Sequence, residues 1–103
     1  MKIAFYDTHS YDKESFEKAN EKFGYTIDFF DFKLSERTAG AAKVFQAVCV
    51  FVNDVVNAEV IRSLKEENVK LIILRCAGFN NVDLKAAYDA GMKVLRVPAY
   101  SPY

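Results

Sequence analysis

Ala47-Val48-Cys49-Val50-Phe51-Val52 places six apolar residues in succession, and Leu71-Ile72-Ile73-Leu74 places four more. Neither run alternates polar with apolar, as a strand with one wet face does. Short unbroken runs of this kind are expected of central strands in a parallel sheet, which is covered on both faces. Tyr25-Thr26-Ile27-Asp28-Phe29 does alternate, which suits an edge strand. With further runs starting near Lys2 and Lys93, the strand pattern recurs about every 23 residues, the length of one strand plus one helix. A solenoid would also have a fixed period, but these segments share no repeat consensus, and βα units account for the spacing.

The segments between the runs carry helix signals. Phe16, Ala19 and Phe23 recur at helical spacing, with Asp12 and Glu14 at the front, Lys18 and Lys22 at the back, and Gly24 as a stop. Asn57 can cap a second helix in which Ala58, Ile61 and Leu64 share a face, and Asp83 to Ala90 reads as a third closed by Gly91. Ser35 to Val44 is expected to be helical as well, although Gly40 weakens it. Strands joined by helices pair in parallel, and five of them most simply take the flavodoxin-like order 2-1-3-4-5 of an α/β, doubly wound fold. Ligands then belong at the carboxyl edge, at the loops 7–11, 53–56, 76–81 and from Pro98 onward. No helix follows the fifth strand before Tyr103, so part of one sheet face is expected to lie bare unless a missing chain segment or self-association fills it.

Length and composition narrow the class. With 103 residues, 51% of them apolar, the chain suits one domain with one modest core. A formal charge of zero offers no electrostatic footprint for nucleic acid or anionic lipid. The opening Met1 to Tyr6 run is too short for a signal peptide or a membrane span, which implies a cytoplasmic protein. Cys49 and Cys76 show neither metal-type nor redox-type spacing, so no metal site is expected.

The strongest local signal is Arg75-Cys76-Ala77-Gly78-Phe79-Asn80-Asn81-Val82-Asp83, a small glycine-containing loop between a buried strand and a helix. Main-chain amides leading into a helix favour a carboxylate or phosphate, and Gly78 lets the backbone approach it. Spacing alone also permits Gly78 to be no more than a tight turn. Arg75 could pair with an anion or serve as a surface ion-pair residue. Cys76 beside it could be an activated thiol, but the sole histidine, His9, follows the first strand, two strands away from the fourth. Phe51 ends a central strand and could face the crevice or the core. Tyr100, between Pro98 and Pro102, is a stiffened segment's tyrosine, presented rather than packed. Gly24, Gly40, Gly78 and Gly91 are isolated, so no dinucleotide fingerprint can be written.

Taken together, Tyr6-Asp7 with Tyr11-Asp12-Lys13, Phe29 to Phe32, Ala47 to Asp54, Arg75 to Leu84 and Arg96-Val97-Pro98-Ala99-Tyr100 resemble the amino-terminal part of the D-2-hydroxyacid dehydrogenase family, its fermentative NAD-dependent D-lactate dehydrogenases in particular. In that family the substrate domain is built from the beginning and the very end of the chain, with a Rossmann domain between. The resemblance implies that residues 1–103 are an incomplete substrate-binding domain, lacking the final covering helix, with the nucleotide-binding domain outside them. It implies a 2-oxoacid carboxylate held by the amides of Ala77 and Gly78, and a pocket lined by Phe51 and Tyr100. His9 would border the cleft without a defined role. The family's catalytic arginine, glutamate and histidine, and its NAD site, come later than Tyr103 and do not map onto Arg75, Arg96 or His9. The chain by itself is therefore expected to hold no cofactor, to have no catalytic residue and to be inactive, although its parent reduces pyruvate to D-lactate with NADH. Two other classes compete. Asp7 and Asp54, after the first and third strands, fit a receiver-like signalling domain in part, but Cys76 and Pro98 stand where that domain needs Ser or Thr and Lys. A purely structural or assembly module is the other.

Overall fold

The computed structural model describes residues 1–51, 53–75 and 81–96. Five strands, β1 (Lys2–Phe5), β2 (Thr26–Phe29), β3 (Ala47–Val50), β4 (Leu71–Leu74) and β5 (Lys93–Arg96), form one sheet in the order β2-β1-β3-β4-β5. Every pairing is parallel. The expected order and the placing of the alternating strand at an edge both hold. All four residues of β3 are buried, as its unbroken apolar run requires.

The register lines up two faces. Ile27, Ile3, Ala47 and Leu71 form one row and Phe29, Phe5, Cys49, Ile73 and Leu95 the next on the same face. Helix α1 (Ser10–Asn20) covers the β1 and β2 end of that face through Phe16, whose ring lies edge-on to Phe5 at 4.8 Å. Toward β5 the cover thins: Leu71 and Ile73 are half-buried, and Leu95 is 54% exposed. The bare strip expected of this sheet is present. The opposite face, with Ala4, Val48, Val50, Ile72 and Leu74, is the main core, closed by α2 (Ala58–Glu66) and α3 (Leu84–Asp89).

Helix boundaries follow local chemistry. The Asn20 side chain accepts from the Tyr25 amide at 2.9 Å and donates to the Tyr25 carbonyl, so α1 stops there, ahead of Gly24 at φ +68°. Asn57 Oδ1 accepts from the Val60 amide and Asp83 Oδ1 from the Ala86 amide, capping α2 and α3. The buried stripe of α2 is Val60, Ile61 and Leu64, whereas Ala58 is exposed. The helix expected over Ser35 to Val44 is reduced to one 3-10 turn, Ala39–Ala42. Hydroxyls compete for its first turn: Thr38 Oγ1 accepts from the Ser35 amide at 2.8 Å and donates to the Lys33 carbonyl at 2.6 Å. Val44 at φ +68° then ends it. Left-handed residues precede four strands in turn, Gly24 before β2, Val44 before β3, Asn68 before β4 and Gly91 before β5, all at the amino edge of the sheet.

The two faces are separable by mutation. Ile72→Ala is expected to lower the unfolding free energy by about 2–5 kcal/mol and Leu95→Ser by under about 0.5 kcal/mol. Urea denaturation followed by circular dichroism measures both, and equal losses would contradict the assignment of the covered face.

Candidate functional site

Because the five strands are parallel, β1, β3 and β4 end side by side, and the chain leaving each is held by short polar contacts. After β1, the Tyr6 amide donates to the Cys49 carbonyl at 2.9 Å, and Asp7, at φ +49°, turns the chain while its amide donates to the Phe32 carbonyl at 2.8 Å. His9 then caps α1 by main-chain contacts: its amide donates to Asp12 Oδ2 at 2.9 Å and its carbonyl accepts from the Asp12 amide at 2.9 Å. Its ring stacks on Tyr11 at 5.5 Å, meets Phe51 edge-on at 5.9 Å, and has Nε2 3.6 Å from Asp7 Oδ1.

After β3, Asp54 folds back over its own turn. Its Oδ2 accepts from the Phe51 amide at 2.6 Å and its Oδ1 from the Leu34 amide at 2.7 Å. Asn81 closes the turn from the other side, with Nδ2 donating to the Phe51 carbonyl at 2.9 Å and the Asp54 carbonyl at 3.1 Å. Phe51 is half-buried, its main chain held at both polar groups.

Arg75 ends β4, its amide donating to the Val50 carbonyl at 2.9 Å. Its side chain is no surface ion-pair group: the residue is 1% exposed. Nη1 donates to Asp12 Oδ2 at 2.8 Å and to the Asp7 carbonyl at 3.3 Å. Nη2 donates to the Tyr6 carbonyl and to the Asp7 carbonyl, and lies 4.0 Å from Asp54 Oδ2. The guanidinium sits between two rings, with Cζ 4.1 Å from the centroid of Phe5 and 5.1 Å from that of Phe51.

Of the residues expected to meet substrate, the structure describes Phe51, half-buried just after β3 with its ring against His9. Ala77, Gly78 and Tyr100, together with Cys76, lie outside the described residues. The buried polar cluster of Asp7, Asp12, Asp54 and Arg75, with the half-buried Asn81 beside it, was not expected as a unit. Scattered aspartate, asparagine and arginine positions after the strands are its trace in the sequence, and polar residues in loops are too common to single out. Asp54 does not suit the receiver-like reading, since both its oxygens are engaged by backbone amides in a buried position. Cys49 is packing: burial pushes its thiol up to about 12, which leaves it unreactive at neutral pH. Burial, and then the charge of Asp54, also pushes the Tyr6 hydroxyl up; that hydroxyl donates to the Thr38 carbonyl at 2.9 Å. Among the described residues no group of His, Cys, Asp and Glu could hold a metal ion, and no helix is long and apolar enough to cross a membrane.

Burial also raises the Asp54 carboxyl above the ordinary carboxylate range, with Asp7 adding to it; the two amide hydrogen bonds and Arg75 oppose the shift. The folded chain thus binds this proton more readily than the unfolded chain. The contribution to stability is largest below the unfolded-state pKa and declines as pH rises through the folded-state one. Relative to Asp54→Asn, the wild-type chain should lose stability as pH rises from about 4 upward. Urea titrations of both at stepped pH check this, and a gap that is constant or widens with pH contradicts it.

Comparison with known proteins agrees with this geometry. A model of the "D-isomer specific 2-hydroxyacid dehydrogenase, catalytic domain" family matches residues 3–103. D-lactate dehydrogenase of Escherichia coli is 55% identical over 99% of this chain and 31% of its own length. The 2-hydroxyacid dehydrogenase homolog 1 of Schizosaccharomyces pombe is 54% identical over 100% of this chain and 31% of its own. The apo structure of the Escherichia coli enzyme superposes with a TM-score of 0.95 across 99% of this chain and 33% of that one. The chain thus spans about a third of the length of the curated relatives it matches. With the parallel sheet, the strand order and the matched residues in agreement, the chain belongs to the D-isomer specific 2-hydroxyacid dehydrogenases, through their catalytic domain.

Proposed function

We propose that residues 1–103 form the substrate-side lobe of an oxidoreductase that reduces pyruvate, or a similar small 2-oxoacid, to D-lactate with NADH in the cytoplasm. The observation that carries this reading is that segment 76–80 is pinned at both ends. Arg75 is locked onto the β1 exit, and Asn81 is locked onto the β3 exit by Nδ2 and by its carbonyl, which accepts from the Val56 amide at 3.0 Å. Flanking residues anchored in this way on rigid elements suit a site whose main-chain donors must be aimed before a carboxylate arrives. Ala77 and Gly78 are assigned to that carboxylate, and Phe51 and Tyr100 to the pocket around the rest of the substrate. The likeness to D-lactate dehydrogenases across the whole chain supports the substrate class.

The residues present do not fit a dinucleotide. Its pyrophosphate needs a glycine-lined strand-to-helix turn and an open helix N-terminus. Here Gly24 and Gly91 lie at the amino edge, and the N-termini of α2 and α3 hold the side chains of Asn57 and Asp83. NAD, the acid that protonates the developing alkoxide, and the cation that balances it are accordingly assigned to polypeptide outside these 103 residues. This lobe binds and orients the acid; hydride transfer is completed elsewhere.

Titration of the labelled chain with oxamate, a non-reducible pyruvate isostere, should give saturable amide shifts in 76–82 and none at Leu95. Pyruvate plus NADH should give no turnover. Turnover at the level of a whole enzyme, or shifts that do not saturate, would overturn the proposal.

A further inference from the structure

We propose that Arg75 is a positioning residue: its buried guanidinium sets the relative placement of the β1, β3 and β4 exits, and through them the geometry of the acid-binding loop. The second half of this statement rests on the function proposed above; the first half does not.

A cation 1% exposed is costly, and a well-packed apolar side chain of similar size often serves stability as well or better. Among the described residues Nε is buried with no hydrogen-bond partner. What the guanidinium does instead is measure distances. One face of the fork spans two consecutive carbonyls, Tyr6 and Asp7, at the turn where Asp7 takes a left-handed conformation. Nη1 meets Asp12 Oδ2, the same oxygen that accepts the His9 amide. Nη2 faces Asp54 Oδ2, the same oxygen that accepts the Phe51 amide. Rings from β1 and from the β3 exit lie within cation–π distance of it. Main-chain positions of His9 and Phe51, 42 residues apart in sequence, are thus tied to one plane, and residue 76 follows directly from it.

Only a planar fork can do this. A lysine ammonium has the same charge, but it is a point donor on a flexible stem and cannot span two carbonyls and a carboxylate at once. Charge supply and positioning are therefore separable. Two carboxylates, Asp12 and Asp54, flank the one guanidinium, and Arg75→Lys keeps their counter-charge while removing the fork.

The test uses the labelled 103-residue chain and two readouts. Without ligand, Arg75→Lys should shift the amides of both His9 and Phe51 in a chain still folded by circular dichroism. In a His9→Ala background, which removes the His9–Phe51 ring contact, Asp12→Asn reaches Phe51 through Arg75 and should also move the Phe51 amide. With oxamate, Arg75→Lys should bind on the order of tenfold to a hundredfold more weakly than wild type at a temperature where it is fully folded. If Arg75→Lys lowers the melting temperature but leaves the amides and the affinity unchanged, the residue is merely structural and the proposal fails. If Arg75→Lys does not fold, the Phe51 response to Asp12→Asn decides, and no response overturns the proposal. Wild-type chain that ignores oxamate refutes the proposed function, while the ligand-free amide shifts still judge the positioning role on their own.

Discussion

A guanidinium taken out of water has to be met by carbonyls and carboxylates, and in this fold those partners come from three strand exits at once. Arg75 from β4 finds the Tyr6 and Asp7 carbonyls after β1, the carboxylate of Asp12 in α1 and, at longer range, that of Asp54 after β3. None of these can move without leaving a buried charge or a buried carbonyl short of its partner, an outcome far more costly than the net worth of the contacts themselves. The carboxyl edge is consequently the stiff end of the sheet, although it is built of loops.

The rest of the site follows from that constraint. Asp54 is fixed by the amides of Phe51 and Leu34, so the Phe51 ring is carried on a main chain already committed. Asn81 ties the start of the α3 approach to the same turn, and the isolated bridge between Val56 and Val82 continues the tie beyond it.

How much of this could be read in advance depended on the kind of interaction. Burial on both faces leaves a direct imprint, and the unbroken runs at Ala47 and Leu71 marked the central strands correctly because every residue there must be apolar. Alternation at Tyr25 to Phe29 marked the edge for the same reason. Asn57 and Asp83 announced α2 and α3 because capping is a contact between neighbours in sequence. The helix expected over Ser35 to Val44 failed where local hydroxyls outcompeted a propensity argument, and Ala58 proved exposed because the α2 stripe runs through Val60, Ile61 and Leu64. Of the site, Phe51 was legible from its place at a strand end. The charge cluster was not, since Arg75, Asp12 and Asp54 are far apart in the chain and only the register brings them together. Family resemblance carried Ala77, Gly78 and Tyr100, which geometry here leaves undescribed.

The two edges of the sheet are made differently. At the amino edge the chain returns into β2, β3, β4 and β5 through single residues of left-handed conformation, each a compact and self-contained bend. Among the described residues, the carboxyl edge has only Asp7 of that kind, and its carbonyl is held by Arg75. Protein engineers splicing a reporter, a cleavage sequence or new termini into this scaffold would find the Gly24 and Gly91 bends permissive, because lengthening a surface loop costs little when its ends are already held by the strands they join. The same graft at the opposite rim would pull apart the machinery that the sheet exists to hold.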